Sequence, residues 1–467
     1  MRESVFESTI IKRVWALALL LCIAPFLVIT LFVHPVYDDY CHAAATVEYG
    51  VRGAVRHMYL FWSGKYFSTT VLAFHPIAFG SFPAYKLVSI AIILLTFISV
   101  YFLVSVLLKR EATVVEKLIA ASFFTALFSN QMPELTEGYY WMPGSITYML
   151  GVILTVFFFG SVVRLFDSRG ISRRLWFLSC SLLIVAIVGS SETLMAIFFL
   201  LMLSITIKAF VCRDDSKWLW LWFLLLTTVC TLVVFMAPGN AVRSSRFAGG
   251  HRLFYSLLFS SAQEARFLLK WLSNPALILG TILFIPVAYR LSEKNELLKR
   301  HFKFHPFAGL LLLLAIVFLG FFPAYWSTGL LGQHRTVNLV FFLFLLGWFL
   351  NLTMWVSYLR RKFGWAVASL PIYVYVICLL LIPLSLLATN NTRETIEDLA
   401  SGRAFRYDMQ MKQRYLQIEQ CLKVGQNPCP VNRLKELPTA ITSDYMDKEV
   451  ACDEKYWKLE FTLDPAK

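Results

Sequence analysis

Two adjacent carboxylates follow the first apolar run of the sequence. Asp38 and Asp39 stand a few residues after Val14–Val33, within the stretch VYDDYC at 36–41. A charged group at the rim of a bilayer is costly unless it is hydrated or used. The pair therefore has two interpretations. It ends a membrane helix in a hydrated loop, or it acts as a general base or as ligands of a divalent cation.

Further polar clusters are predicted on the same side of the membrane as the acidic pair. Glu192 lies between two apolar runs with almost no loop, so we expect it at or below the membrane surface. The clusters contain the carboxylates Glu134, Glu137 and Glu192, the aromatic residues Tyr139, Tyr140 and Trp141, and the basic residues Arg52, Lys65, Arg243, Arg246, His334 and Arg335.

Carboxylates and cations on one hydrated face are the groups needed to transfer a substituent from a lipid phosphate. A carboxylate can take the proton of an acceptor hydroxyl or bind a divalent ion, and Arg and His stabilise charge on a departing phosphate. The aromatic residues can stack on sugar rings or anchor the chain at the membrane surface. Structural interpretations stand beside these: Arg335 can extend to water, and Glu192 can satisfy a helix N-terminus. Because all these clusters are predicted on one side of the membrane, a common site is favoured.

The composition indicates a polytopic membrane protein. Of the 467 residues, 58% are hydrophobic and 15% are charged, whereas soluble domains have roughly 45–50% apolar and about 25% charged residues. The net charge of +14 comes from basic residues spread through short loops. This distribution is a topology signal rather than a nucleic-acid-binding face, so we expect a lipid bilayer as partner and no nucleic acid.

Apolar runs of the sequence predict an all-α fold with about 11 transmembrane helices. The first run follows basic residues but is long enough to span a bilayer and lacks a cleavage site, so it predicts a retained helix. The runs are Val14–Val33, Leu87–Leu108, Leu118–Phe128, Ile146–Val163, Leu175–Val188, Leu194–Ile207, Trp218–Met236, Ala276–Tyr289, Phe307–Phe322, Val337–Tyr358 and Trp365–Ala388.

The basic residues predict which side each loop occupies. With a cytoplasmic N-terminus and an odd number of spans, the inside segments hold more than twice as many Lys and Arg as the outside loops. The tail is then outside, which divides the chain into a membrane domain at 1–389 and a small extracytoplasmic domain at 390–467. The first outer loop predicts interfacial helices, with a surface helix over Asp39–Tyr59, and 251–271 reads as an amphipathic stretch. Cys421 and Cys429 in the tail can pair or remain free.

Several short motifs resemble those of a known class of membrane enzymes. They are DDYC at 38–41, WSGKY at 62–66, EGYYWMPGS at 137–145, SE at 191–192, APGN at 237–240 and HR at 334–335. The chain resembles the GT-C class of membrane glycosyltransferases and is similar to a largely uncharacterised bacterial family grouped with O-antigen and cell-surface glucosyltransferases. The resemblance extends to about residue 335 and more weakly into the tail. Two features depart from it: Lys65 stands where many relatives have Arg, and the tail is short.

The resemblance implies a base or metal ligand at Asp38 or Asp39, a polyprenyl-phosphate sugar donor and a bacterial inner (cell) membrane location. We expect inverting transfer of one sugar to a hydroxyl of a cell-surface glycan of the O-antigen or lipopolysaccharide type, on the periplasmic side. The sequence leaves a Mg²⁺ or Mn²⁺ cofactor open. The alternatives are a glycan ligase or polymerase using polyprenyl diphosphate, a lipid-linked-sugar flippase and a non-catalytic scaffold. The expected substrate-binding residues are Lys65, Glu134, Glu137, Tyr140, Trp141, Glu192, Arg243, His334 and Arg335.

Overall fold

The computed structural model describes residues 9–109, 111–245, 251–294, 305–332, 334–365, 370–442 and 451–464. This part of the chain is almost entirely helical, with a single parallel pair of short strands. The helices are α1 (Thr9–Val28), α2 (Asp38–Phe61), α3 (Tyr66–Leu72), α4 (Phe82–Leu108), α5 (Val114–Gln131), α6 (Met142–Asp167), α7 (Gly170–Val188), α8 (Glu192–Val211), α9 (Lys217–Phe235), α10 (Pro238–Ser244), α11 (Leu253–Leu272), α12 (Pro275–Lys294), α13 (Pro306–Thr328), α14 (His334–Phe363), α15 (Ile372–Ala388), α16 (Asn390–Ala400), α17 (Arg403–Val424) and α18 (Ala451–Trp457). The strands are β1 (Cys429–Asn432) and β2 (Phe461–Asp464).

Many of these helices are suited to a bilayer. Within the described ranges, 9 are long and apolar enough to cross one, or up to 10 if the bent pair α15 and α16 forms one span. They are α1, α4, α6, α7, α8, α9, α12, α13 and α14. A multi-pass all-α membrane protein is thereby confirmed, whereas the count of about 11 stays a prediction.

The difference in number comes from α5 and α15. Each of these helices contains one of the predicted apolar runs, but α5 carries polar residues such as Glu116 and Asn130, and α15 has only 17 residues. Lys12 at the start of α1 bonds Glu116 at 2.8 Å, while Asn130 donates to the Leu386 carbonyl at 2.8 Å. The helix α5 therefore runs beside α1, and its far end meets the end of α15. This packing supports counting α5 among the spans.

The helix ends fall into two groups, which we call the site end and the basic end. At the site end, Asp39 contacts Tyr85 of α4, and Glu137 contacts Arg335 of α14. The basic end holds the ion pairs Lys12–Glu116 and Lys109–Asp167 and the side chains Tyr289 and Arg360. Every cluster that the sequence singles out lies at the site end, in the part of the chain that the structure describes.

The first loop after α1 is helical, as the amphipathic pattern predicts. Helix α2 covers the predicted surface helix, but it is broken at Gly50, where φ is 69°. This left-handed conformation is accessible to glycine without the steric cost that other residues meet. The first half of α2 packs against α18 from the tail, and the helix as a whole also contacts α10. The break thus divides α2 into two segments, before and after Gly50.

The tail packs directly on the site end. His34 and Lys86 lie 3.0 Å and 3.3 Å from Asp408 of α17, and Tyr456 of α18 donates to the Ile77 carbonyl at 2.8 Å. Buried tail residues such as Tyr407 belong to the same hydrophobic core as the membrane helices. The described part of 390–467 therefore forms a cap that shares packing with the bundle and also has a small hydrophobic cluster of its own around Ile418, Val431 and Leu459. The domain boundary after residue 389 stays a prediction.

Two disulfides involve this cap, one within it and one between it and α2. Cys421 and Cys429, which the sequence left as paired or free, are bonded, and Cys41 is bonded to Cys452 across 411 residues. The free cysteines all lie in or next to apolar runs: Cys22, Cys180, Cys212, Cys230 and Cys378. The second bond ties α18 to the residues that directly follow the acidic pair.

Candidate functional site

The two members of the acidic pair have different surroundings. Asp39 is fully buried, and its Oδ2 accepts hydrogen bonds from the Val36 backbone at 2.9 Å and from the Tyr85 hydroxyl at 2.7 Å. Its Oδ1 lies 3.0 Å from His75 Nε2. Since both oxygens are occupied by groups of the protein, Asp39 holds the start of α2 against α4 and cannot reach a substrate. Asp38 is the more accessible carboxylate of the pair.

Asp38 is half-buried at the first residue of α2 and interacts electrostatically with Arg335. His42 stands four residues later, so the two side chains share one face of the helix. Burial, together with the neighbouring His75 and Lys65, lowers the pKa of His42 to about 3. The imidazole is therefore neutral at physiological pH. The sequence reasoning missed His42, although its spacing from Asp38 was a usable signal.

Arg335 and Glu137 form an ion pair beneath the loop that follows α5. Arg335 Nη1 donates to Glu137 Oε1 at 2.9 Å, and the two side chains are only 17% and 11% exposed. The guanidinium lies 4.8 Å from the centre of the Trp141 ring. Trp141 thus supports the cation, a contact that is stabilising at this separation. The Trp141 ring is nearly buried against its neighbours, and its role in substrate binding stays a prediction.

Glycines allow this loop to fold tightly. A Cβ on Gly144 would lie 2.3 Å from the Glu137 carbonyl oxygen, a separation that no side chain tolerates. A Cβ on Gly138 would lie 2.9 Å from Asn338 Nδ2. Asn338 also bonds the backbone of Glu134 in both directions, accepting from its N–H at 2.9 Å and donating to its carbonyl at 2.6 Å. The loop is therefore held on α14, which places Glu137 beside Arg335.

A second ion pair lies where α8 begins. Arg243 Nη2 donates to Glu192 Oε1 at 2.9 Å, and the hydroxyl of Ser63 donates to the same oxygen at 3.0 Å. Lys65 interacts electrostatically with Glu192 and makes no ion pair with a described residue. A Cβ on Gly64 would lie 2.2 Å from the Val234 carbonyl oxygen, so this turn needs glycine to pass α9.

Tyr148 connects the two ion pairs. The Arg335 guanidinium lies 5.8 Å from the centre of the Tyr148 ring, and Tyr148 interacts electrostatically with Arg335, Lys65 and Glu192. The resulting charged cluster, as we call it from here, has three carboxylates and three cations, so it is balanced in charge. Its members are Asp38, Lys65, Glu137, Tyr148, Glu192, Arg243 and Arg335.

Other predicted residues lie apart from the charged cluster. Tyr140 is almost completely buried and donates to the Phe26 carbonyl at 3.0 Å, so it cannot stack on a sugar as expected. His334 is exposed at the first residue of α14, and Glu134 is half-buried at the rim of the loop. Arg246 falls outside the described residues. The predicted cations Lys65, Arg243 and Arg335 thus lie in the charged cluster, whereas Tyr140 lies in the packed interior.

The sequence leaves a divalent cation open, which makes groups of candidate ligands among the described residues relevant. One group has the required proximity: ligand atoms of Asp38, Cys41 and Cys452 lie within 4.8 Å of one another. The two sulfurs are joined in a disulfide, and metal binding requires thiolates. Within that group of described residues, Asp38 is then the one side chain that can still act as a ligand.

The charged cluster can accept a proton at Asp38 and bind an anion at its cations. Both abilities lie at one end of a membrane helix bundle, beneath a cap fastened by disulfides. No protein-family model, curated protein or solved structure matches this chain. The chemistry must therefore be inferred from the cluster itself.

Proposed function

We propose that this protein is a membrane glycosyltransferase that moves one sugar from a polyprenyl phosphate to a hydroxyl of a cell-surface glycan. The observation that carries the proposal is the half-buried Asp38 beside Arg335, in a cluster that also contains Lys65 and Arg243. A bilayer protein with a base and several cations at one surface suits a donor that has an apolar tail and an anionic headgroup. The resemblance to the GT-C class supports the same assignment.

Asp38 acts as the general base. As the acceptor oxygen bonds the anomeric carbon, its proton passes to the Asp38 carboxylate. The bond from that carbon to the phosphate oxygen breaks, and polyprenyl phosphate leaves with the electron pair. Attack from the face opposite the phosphate inverts the anomeric configuration. His42, on the same face of α2, is neutral. It therefore adds no positive charge that would lower the proton affinity of the Asp38 carboxylate.

The leaving phosphate is stabilised by cations of the cluster. Lys65 is the best placed, because Arg335 and Arg243 are each paired with a carboxylate while Lys65 has no ion-pair partner in the described chain. The lysine offers a point charge rather than a two-pronged grip. Lys65 thus takes the role that an arginine has in many members of the family that this chain resembles. Arg335, which acts on the same Tyr148 side chain, shares the charge.

The cysteines support a periplasmic location of the charged cluster. Disulfides persist in oxidising compartments such as the bacterial periplasm, and both disulfides lie in the cap or between the cap and α2. Cys212, which is exposed and free, follows α8 at the end opposite to Glu192. This pattern agrees with the basic-residue bias, which places the N-terminus in the cytoplasm and the tail in the periplasm.

The test compares surface glycans and purified protein for wild type and Asp38→Asn. We expect the wild type to transfer sugar from a polyprenyl-phosphate sugar and Asp38→Asn to be slower by about 10²–10⁴, the usual contribution of general base catalysis. Glu397→Gln, an exposed change on α16, is the matched control. Wild-type rates in Asp38→Asn would favour the ligase or polymerase alternative, which relies on Arg and His. Unchanged surface glycans in cells lacking the protein would overturn the proposal as a whole.

A further inference from the structure

A large cavity lies between the helices toward the basic end. Its volume is about 1220 Å³, larger than the roughly 300–1,000 Å³ of pockets for small ligands. Helices α4, α5, α12, α13 and α14 form most of its walls, and their contributions are almost entirely apolar. Representative wall residues are Val104, Ile119, Phe123, Leu283, Leu312 and Phe349. Such walls suit hydrocarbon rather than a water-soluble metabolite.

One rim of the cavity is cationic. Arg290, Arg360 and Arg361 line it, and Arg360 is held 5.2 Å from the centre of the Tyr289 ring. Carboxylates line it as well: Glu116 is neutralised by Lys12 at 2.8 Å, and Glu111 has interactions of its own. Arg290 and Arg361 make no ion pair with a described residue. They leave a positive excess beside an apolar chamber, which is complementary to an anion that carries hydrocarbon chains.

The cavity is long enough to hold a lipid of one membrane leaflet. Its wall on α14 runs from Leu343 to Arg361, about 27 Å at the helical rise of 1.5 Å per residue. Half of the hydrocarbon core of a bilayer measures about 15 Å, so an acyl chain and its headgroup have room. At its far end the described lining stops at Leu343, about 12 Å short of Arg335 along the helix. The cavity is therefore separate from the charged cluster.

We infer that this cavity binds one anionic diacyl phospholipid from the leaflet at the basic end, with its phosphate on the arginines and its chains between the helices. The inference does not depend on the proposed function. It differs from the donor site, because the donor phosphate would bind at the site end. The lipid would fill a space that the side chains leave open and thereby hold α12, α13 and α14 against α4 and α5.

Native mass spectrometry of the purified full-length protein tests the inference. We expect the wild type to retain one phospholipid and, after delipidation, to bind added phosphatidylglycerol more tightly than phosphatidylcholine. Replacing Arg290, Arg360 and Arg361 together by Gln should weaken phosphatidylglycerol binding by about 100-fold, given the usual contribution of each basic residue near an anionic lipid. The matched control, Arg173→Gln with Arg174→Gln, removes exposed arginines that lie outside the cavity and should change nothing.

A second variant separates binding inside the cavity from binding at its rim. Ala120→Trp on α5 fills the cavity and leaves the arginines intact, so it should abolish lipid retention. Wild-type affinity in this variant, equal affinity for phosphatidylcholine, or equal losses in the arginine variant and its control would each overturn the inference. Retention of polyprenyl phosphate in place of phospholipid would also overturn it.

Discussion

Arg335 neutralises a carboxylate and also faces the proposed leaving group. Replacement by Ala removes a donor, which typically lowers a rate by about 10²–10³. It also leaves nearly buried Glu137 without its partner, and breaking a buried pair typically costs about 3–5 kcal/mol. We expect Arg335→Ala to yield less folded protein and to lose transfer by at least about 100-fold per folded molecule.

Two companion variants separate charge from geometry at this position. Arg335→Lys should recover only part of the activity, because it keeps the charge without the planar fork. Glu137→Gln keeps the guanidinium and should retain more activity than Arg335→Ala. Transfer is measured per molecule that elutes as a monodisperse species. If Arg335→Ala matched the wild-type rate, the phosphate would have to bind elsewhere.

Asp453 provides a prediction on pH dependence. Burial raises the pKa of this carboxyl to about 7, with Arg414 opposing the shift and Asp39 and Glu454 adding to it. The folded state therefore keeps its proton where the unfolded chain has lost it, and stability falls as the pH rises from about 4 to about 7. Asp453→Asn should melt at a higher temperature than wild type at pH 8, with no difference near pH 4. Equal melting temperatures at pH 8 would contradict the assignment.

Individual roles within the acidic pair could not be predicted from the sequence. Adjacent residues at a helix start look alike in a pattern, yet Asp39 is occupied by His75 and Tyr85, which arrive from separate loops and helices. The position of Tyr140 could not be predicted for a related reason, since its hydroxyl donates to the Phe26 carbonyl of α1, far away in the sequence. The spacing of residues in the sequence predicts which face of a helix they share. Their burial depends on neighbours that are distant in the chain.

Among the elements, the membrane helices were the most predictable. Each predicted apolar run lies within or overlaps a described helix, because a segment that spans lipid must satisfy its own backbone hydrogen bonds. The association of α18 with α2 carried no such signal. It depends on a pairing between Cys41 and Cys452 and on aromatic packing of Tyr40 against Tyr456.

The disulfide between α2 and α18 is expected to affect both stability and sugar transfer. Replacing Cys41 and Cys452 by Ser should lower stability by about 2–5 kcal/mol, as removal of native disulfides typically does. It should also slow transfer, because α18 then no longer secures the start of α2 at Asp38. The matched control replaces Cys421 and Cys429, whose bond closes a loop of 8 residues within the cap. Greater loss of transfer in the control would contradict this role for α18.

For the molecule as a whole, a native cysteine can test which end of the helix bundle faces the periplasm and which faces the cytoplasm. Cys212 is exposed and free and lies at the end away from the charged cluster. A membrane-impermeant maleimide should label it only after the cells are permeabilised. A periplasm-specific reporter fused after Lys467 should be active in the same cells. Labelling of Cys212 in intact spheroplasts would reverse the orientation and move the charged cluster to the cytoplasm.

The bond between Cys41 and Cys452 also sets an order of events during synthesis. Its two sulfurs are 411 residues apart, and translation adds about 5–20 residues per second. The thiol of Cys41 must therefore wait roughly 20–80 seconds for its partner. A chain that stops early leaves this thiol free beside Asp38. Formation of the bond next to the proposed catalytic carboxylate thus requires that synthesis has passed Cys452.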